Sequence, residues 1–258
     1  MNKKSNNVET KVKVLSKAVG ILECFSVQNP VRGITEISNI LGIGKSNTYN
    51  LVSSFVDLGY LEKTDNNKYK LGIKLLRYAF LVNEQLPYVQ AVYDILVDTS
   101  RRTGELVFFG IPYNDQVLYL TSVHPLEILE YKPYRIITGE VAPLYCTGIG
   151  RAMLMTMPEE EWPSRITTNR VPFTIATETN YENIIKELRE SKRRGYSIDN
   201  GEREPGIRCI GVPIYDIHGK LVAGLSISGK MNRITFERIP SLARILQENA
   251  LNMRARLY

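Results

Sequence analysis

Residues 33–72 read GITEISNILGIGKSNTYNLVSSFVDLGYLEKTDNNKYKLG, and the order of apolar and turn residues here decides what the first third of the chain is. Ile37, Ile40 and Leu41 recur at helical spacing, which predicts a short helix over 35–41. Gly42-Ile43-Gly44 is a tight glycine-containing turn. A longer helix is expected over 45–58, burying Val52, Phe55, Val56 and Tyr49 and leaving Lys45, Ser46, Asn47, Asn50, Ser53 and Ser54 on its other face. After Gly59 two short runs, 60–64 and 68–71, flank Asp65-Asn66-Asn67 and close at Gly72, which reads as a hairpin. Upstream, 16–27 is expected to be helical, with Ser16 as cap and Ala18, Leu22 and Phe25 on one face, until Pro30 and Gly33 break it. Helix, helix, tight turn, helix and hairpin is the order of a winged helix-turn-helix.

The charge distribution agrees with that order. Of the net charge of +6, all lies before residue 84, where 12 Lys and Arg face 6 Asp and Glu. The remaining 175 residues balance at 21 of each sign. A basic module on a neutral body suits a polyanion-binding segment attached to something else. The third helix is slim enough for a ~12 Å major groove, and its free N-terminal N–H groups suit phosphate oxygens. Lys68 and Lys70 on the wing can take phosphate charge beside it. A phosphate-binding P-loop is excluded, because Asn39 stands where Gly44-Lys45-Ser46 needs its first glycine and no strand precedes it. A helix-turn-helix serving protein contacts is the other reading of this shape.

The chain has 258 residues, which favours two domains. Its 43% hydrophobic and 23% charged composition excludes a disordered or collagen-like chain. No apolar run is long enough for a membrane span, and residues 1–13 show no signal-peptide core. Three widely spaced cysteines, Cys24, Cys146 and Cys209, fit a reducing compartment, so a cytoplasmic protein without membrane partner is expected.

An apolar helix over 71–83 is expected to link the halves, followed by a helix over 88–102 that stops at Gly104. Strands are expected over 106–111, 116–123, 128–134, 209–215 and 221–228, with helices over 148–157, 180–194 and 240–256. Glu159-Glu160-Glu161 reads as a solvated helix start. This mixture is an α+β fold, one sheet with helices against it.

Cys146-Thr147-Gly148-Ile149-Gly150 leads directly into a helix, so its backbone N–H groups can meet a carboxylate, or its small residues can pack on a sheet. A dinucleotide fingerprint is excluded by Met153 at the third glycine position. Ser226 and Ser228 share one side of an apolar strand, where either a ligand or neighbouring backbone meets their hydroxyls. Asp199 and Cys209 admit a site role or a structural one. With only His124 and His218, no nucleophile–base pair or metal-ligand spacing is present, so neither an enzyme nor a cofactor is expected.

LSKAVGILECF, the stretch GITEISNILGIGKSNTYNLVSSFVDLGYLEK, YKLG, and later RRGYSIDNGE, GIRCIGVPIYD and LSISGK resemble the IclR family of bacterial transcriptional regulators over nearly the whole chain. That resemblance implies a flexible basic tail over 1–13, a winged helix-turn-helix DNA-binding domain over 14–72, a linker helix over 73–86 and a GAF-like effector-binding domain over 87–258. It implies a homodimer or homotetramer on a pseudo-palindromic operator in double-stranded DNA. Arg32 and Thr35 are expected on the DNA backbone, and Lys45, Ser46, Asn47, Thr48 and Asn50 in the groove, with Asn50 able to read adenine. For a small organic acid effector, the resemblance points to Gly148, Asp199, Ile207, Cys209, Ser226 and Ser228, and to Ile149 where a smaller residue is often found. Tyr131, Tyr134 and Ala142 are expected as pocket walls.

Overall fold

The computed structural model describes residues 12–125, 137–166 and 170–257. The chain divides into two compact units between Leu86 and Pro87.

In the first unit, α1 (Lys13–Glu23), α2 (Ile34–Leu41) and α3 (Lys45–Asp57) precede a hairpin of β1 (Leu61–Lys63) and β2 (Tyr69–Leu71), and α4 (Lys74–Glu84) follows. Ile21, Cys24, Ile37, Val52, Leu61 and Tyr69 form one core, so all three helices and both strands share it. Gly42 ends α2 in the left-handed region at φ 65°, where a side chain is strained. The Glu36 carboxylate accepts the Gly33 N–H at 2.7 Å at the other end of that helix. Arg32 and Tyr69 exchange backbone hydrogen bonds of 2.9 and 2.8 Å, tying the segment before α2 to the wing.

Two expectations are corrected here. The first helix spans Lys13–Glu23 rather than 16–27: Ser16 lies inside it, and Ser26 and Asn29 close a turn by exchanging backbone bonds. The Ser26 hydroxyl also accepts the Asn29 N–H at 3.1 Å, a local competitor of helix. On α3 Val52, Phe55 and Val56 meet the core as expected, but Thr48 and Tyr49 trade places. Thr48 is fully buried with its hydroxyl donating to Gly44 O at 3.1 Å, while Tyr49 is 55% exposed.

The second unit is α+β. After α5 (Pro87–Thr103) come β3 (Leu106–Tyr113), β4 (Gln116–Val123), β5 (Val141–Pro143) and α6 (Gly148–Leu154). A 3-10 turn (Glu159–Glu161), α7 (Trp162–Arg165) and α8 (Tyr181–Arg194) lead to β6 (Ser197–Asn200), β7 (Ile207–Tyr215), β8 (Leu221–Lys230) and α9 (Ile239–Arg254). The strands form one antiparallel sheet in the order β5-β4-β3-β8-β7-β6. Positive φ at Asn114 and Asp115 makes the tight β3–β4 turn.

Val107, Phe109, Ile210, Val212, Leu225 and Ile227 are buried along one face, against which α5 and α9 pack. Asn249 on α9 donates to the Thr99 hydroxyl of α5 at 2.7 Å. On the other face α6 crosses β6, β7 and β8. A second apolar cluster there joins Ile149, Met153 and Leu154 of α6 with Trp162, Ile184 and Leu188. The expected strand over 128–134 lies outside the described residues. The edge strands β5 and β6 span only 3 and 4 residues, too short for a periodicity signal in the sequence.

Candidate functional site

Side chains alternate along a strand, and the register of the sheet turns that alternation into a row. Asp199 pairs with Cys209, Cys209 with Ser228, and Ser228 with Leu106, so one residue from each of β6, β7, β8 and β3 lies in line. Two residues further along, Gly211, Ser226 and Phe108 form the next line on the same face. The start of α6 presses on it: a Cβ on Gly211 would stand 2.3 Å from Gly148 O, which only glycine permits. The Ser197 hydroxyl pins that contact by donating to Gly148 O at 2.6 Å.

Between this face and the loops above it lies a cavity of about 480 Å³. Its lining includes Asp199, Cys209, Ser226, Ser228, Ile207, Thr147 and Gly148, with Leu106, Phe108 and Tyr119 as an apolar side. The Phe108 and Tyr119 rings meet edge to face at 5.6 Å between centroids. Arg203, Lys230, His124, Glu140 and Glu204 add charged and titratable groups.

The cavity electrostatics follow from burial. Asp199 is 2% exposed, and burial raises its carboxyl to about 6, although it accepts the Glu202 N–H at 2.8 Å. Burial holds the Cys209 thiol well above its usual value, so it is a neutral S–H donating to the Ser228 hydroxyl at 3.3 Å. Cys146 is likewise pushed up to about 12 by burial, so neither cysteine has the thiolate character of a nucleophile. Arg203 lies 4.1 Å from the centre of the Phe173 ring and 3.5 Å from Glu140 Oε1. Among the described residues no three His, Cys, Asp or Glu side chains gather as a metal site, and no helix is long and apolar enough to cross a membrane.

Of the ten residues named for the effector, the structure brings Gly148, Asp199, Ile207, Cys209, Ser226 and Ser228 together on the cavity. Ala142 and Ile149, each 1% exposed, lie in the apolar cluster beneath instead. Ile149 turns away because Gly224 opposite leaves room for it, with a Cβ there only 2.7 Å from Ile149 Cγ2. Tyr131 and Tyr134 are outside the described residues. Sequence reasoning missed Lys230, which continues the alternation of Ser226 and Ser228, and Arg203, which follows Asp199 in the charged run DNGERE.

In the first unit Lys45, Ser46, Asn47 and Asn50 are exposed on α3, as is Thr35 at the start of α2. Thr48 is the correction: its burial withdraws it from the surface. The Arg32 Nε donates inward to Cys24 O at 3.2 Å, and its guanidinium lies 3.9 Å from Glu36. Lys68 and Lys70 are half-exposed and paired with Glu36 at 3.7 Å and Glu62 at 3.1 Å. Such exposed pairs exchange at little cost.

Residues 14–65 match the model of the IclR helix-turn-helix domain, and 82–255 that of the bacterial transcriptional regulator IclR C-terminal domain. The HTH-type transcriptional regulator XynR of Escherichia coli K12 is 28% identical over 243 residues, 93% of this chain and 95% of its own. The crystal structure of the Thermotoga maritima IclR is 30% identical with a TM-score of 0.67, covering 95% of this chain and 98% of that one. An IclR homolog of Microbacterium hydrocarbonoxydans complexed with 4-hydroxybenzoate shares the fold at a TM-score of 0.74 and 22% identity, over 94% and 98% of the two chains. These relatives and domains are transcriptional regulators, not enzymes. A winged helix-turn-helix followed by an α+β cavity domain, each matched by its own family model, places this chain in the IclR family of DNA-binding transcriptional regulators.

Proposed function

We propose that residues 87–258 bind a small organic acid in the cavity and that its binding changes how residues 14–72 hold operator DNA or recruit polymerase. The observation that carries this reading is the cavity itself. At about 480 Å³ it has the size of a small-molecule site, and its polar row adjoins an aromatic side on the same sheet face. Arg203 and Lys230 supply charge for a carboxylate, Ser226 and Ser228 supply hydroxyls, and the Phe108–Tyr119 edge accepts a flat or apolar body. Glu140 shares Arg203 at 3.5 Å, so a ligand carboxylate would take that guanidinium jointly with it. The neighbouring fold that holds 4-hydroxybenzoate supports the aromatic acids among the candidates.

For DNA, Lys45, Ser46, Asn47 and Asn50 enter the groove while Arg32, Thr35, Lys68 and Lys70 meet the backbone. Two copies on a pseudo-palindromic operator suit the large apolar side chains exposed on α1 (Val14, Leu15, Val19) and on α4 (Leu76, Phe80). The copies form a homodimer or homotetramer. The segment 73–86 carries the change between units, and the effector acts by binding one arrangement of the oligomer better than another.

The test is the thermal unfolding of the full chain against a panel of small carboxylates, sugar acids and aromatic acids. A ligand at ~100 times its Kd stabilises the folded state by about 2.7 kcal/mol, a readable shift. A flat panel rejects the organic-acid reading.

A further inference from the structure

The face that α3 turns to solvent includes one large ring, that of Tyr49, which the apolar pattern of the helix assigns to the core. Thr48 and Val52 are fully buried, Leu51, Phe55 and Val56 pack against the same core, and Tyr49 is 55% exposed. At 100° per residue, the outward surface over the first turns is Lys45, Ser46, Asn47, Tyr49 and Asn50, with Ser54 one turn further on. Lys45, Ser46 and Asn50 are likewise exposed. An N-terminal recognition-helix surface of this kind contacts base edges.

Five of these six side chains are polar and small or flexible. Tyr49 alone brings a large apolar body to that surface, and it is not among the side chains that pack on the core of the unit. Its ring is not among the aromatic pairs at the end of α3, where Phe55, Tyr60 and Tyr78 contact one another. In the major groove, the apolar feature that a ring edge can recognise is the C5-methyl group of thymine.

We propose that Tyr49 is a specificity-determining residue of this regulator, its ring covering a thymine methyl in the major groove in the place that the sequence pattern assigns to Thr48. The assignment rests on the first unit being the DNA-reading module. The phenol hydroxyl at the ring's end is a donor and acceptor available to the neighbouring base or phosphate, but the discrimination comes from the ring.

The experiment uses the full chain and duplexes selected in vitro from a randomised pool. Each thymine of the selected sequence is replaced in turn by deoxyuridine, which removes the methyl and leaves the base pair and O4 in place. One thymine per half-site is expected to lose about fourfold in affinity, the factor for hiding one methyl group from water. Tyr49→Ala binds more weakly and is indifferent to the uridine at that position, whereas Tyr49→Phe keeps the full sensitivity. Tyr49 is exposed, so both variants should unfold at the wild-type temperature, which thermal unfolding checks. If every uridine costs Tyr49→Ala as much as wild type, or if the selected sequence holds no thymine, the proposal is overturned. If the wild-type chain enriches no sequence, the DNA-reading assignment of the first unit falls, and this proposal with it.

Discussion

Arg151 and Glu202 close a buried two-pronged ion pair across 51 positions of sequence, with Nη1 to Oε1 at 2.5 Å and Nη2 to Oε2 at 2.8 Å. The Arg151 Nε also donates to Tyr145 O at 2.8 Å and Nη1 to Ile198 O at 3.0 Å, so α6 is bound to β6 and to the loop after it. That loop carries Arg203 and Glu204 on the cavity, and the Glu202 N–H holds the Asp199 carboxylate. Arg151→Met leaves a buried carboxylate without its cation and should lower the unfolding free energy by about 3–5 kcal/mol. Adding Glu202→Gln should restore part of it. Urea unfolding of the three proteins measures both, and a loss below about 1 kcal/mol for the single variant contradicts the assigned role.

Asp199 makes stability depend on pH. Its folded carboxyl is raised by burial to about 6 from an ordinary 3.8, so the native state keeps a proton that the unfolded chain releases between these values. Its stabilisation is full below about pH 4 and is lost as pH rises through about 6. Asp199→Asn removes that loss, and relative to wild type it should gain about 2–3 kcal/mol between pH 4 and pH 7.5. Denaturant midpoints at the two pH values test this; parallel changes in both proteins reject it.

Ser226→Ala with Ser228→Ala removes two hydroxyls from the cavity wall and leaves the first unit untouched. The ligand-induced thermal shift of any compound that stabilises wild type should disappear, while DNA affinity without ligand stays within twofold or so. A shift of wild-type size in the double variant removes the serines from the ligand contact.

Groove and wing residues separate by salt. Lys68→Ala with Lys70→Ala should weaken binding to selected and random duplexes alike and reduce the slope of log affinity against log salt by about 2. Asn47→Ala with Asn50→Ala should leave the slope in place and cost about 1–3 kcal/mol of discrimination per base pair read. Fluorescence anisotropy across a salt series distinguishes them, and equal losses on both duplexes for the asparagine variant reject base readout.

Much of this architecture was legible before any coordinates. The glycine turn at Gly42–Gly44, the hairpin at Asp65–Asn67 and the amphipathic helix capped by Asn180 and ended by Gly195 are local signals, and the structure places turns and caps there. Local chemistry suffices for them because hydrogen bonds and φ angles within a few residues select the conformation. The pairing of Ser226 and Ser228 on one face follows from strand alternation alone.

What the residues could not decide by themselves was which neighbours share a surface. Periodicity describes an apolar stripe without its exact rotation, so Thr48 and Tyr49, adjacent on α3, exchanged their expected places. The core of Ile21, Ile37, Val52 and Leu61 sets that rotation. The family resemblance implies Ile149 as an effector contact, yet the space opposite Gly224 draws it into the apolar cluster. Arg203 and Lys230 reach the same cavity from separate segments, and the pairing of β7 with β8 and the Arg151–Glu202 link bring those segments together. Sequence thus determined the longer elements, their order and the family, because these depend on short-range chemistry. Tertiary structure decided the composition of the cavity and which residues of α3 are exposed, because strand register and helix rotation are settled by packing between residues far apart in the chain.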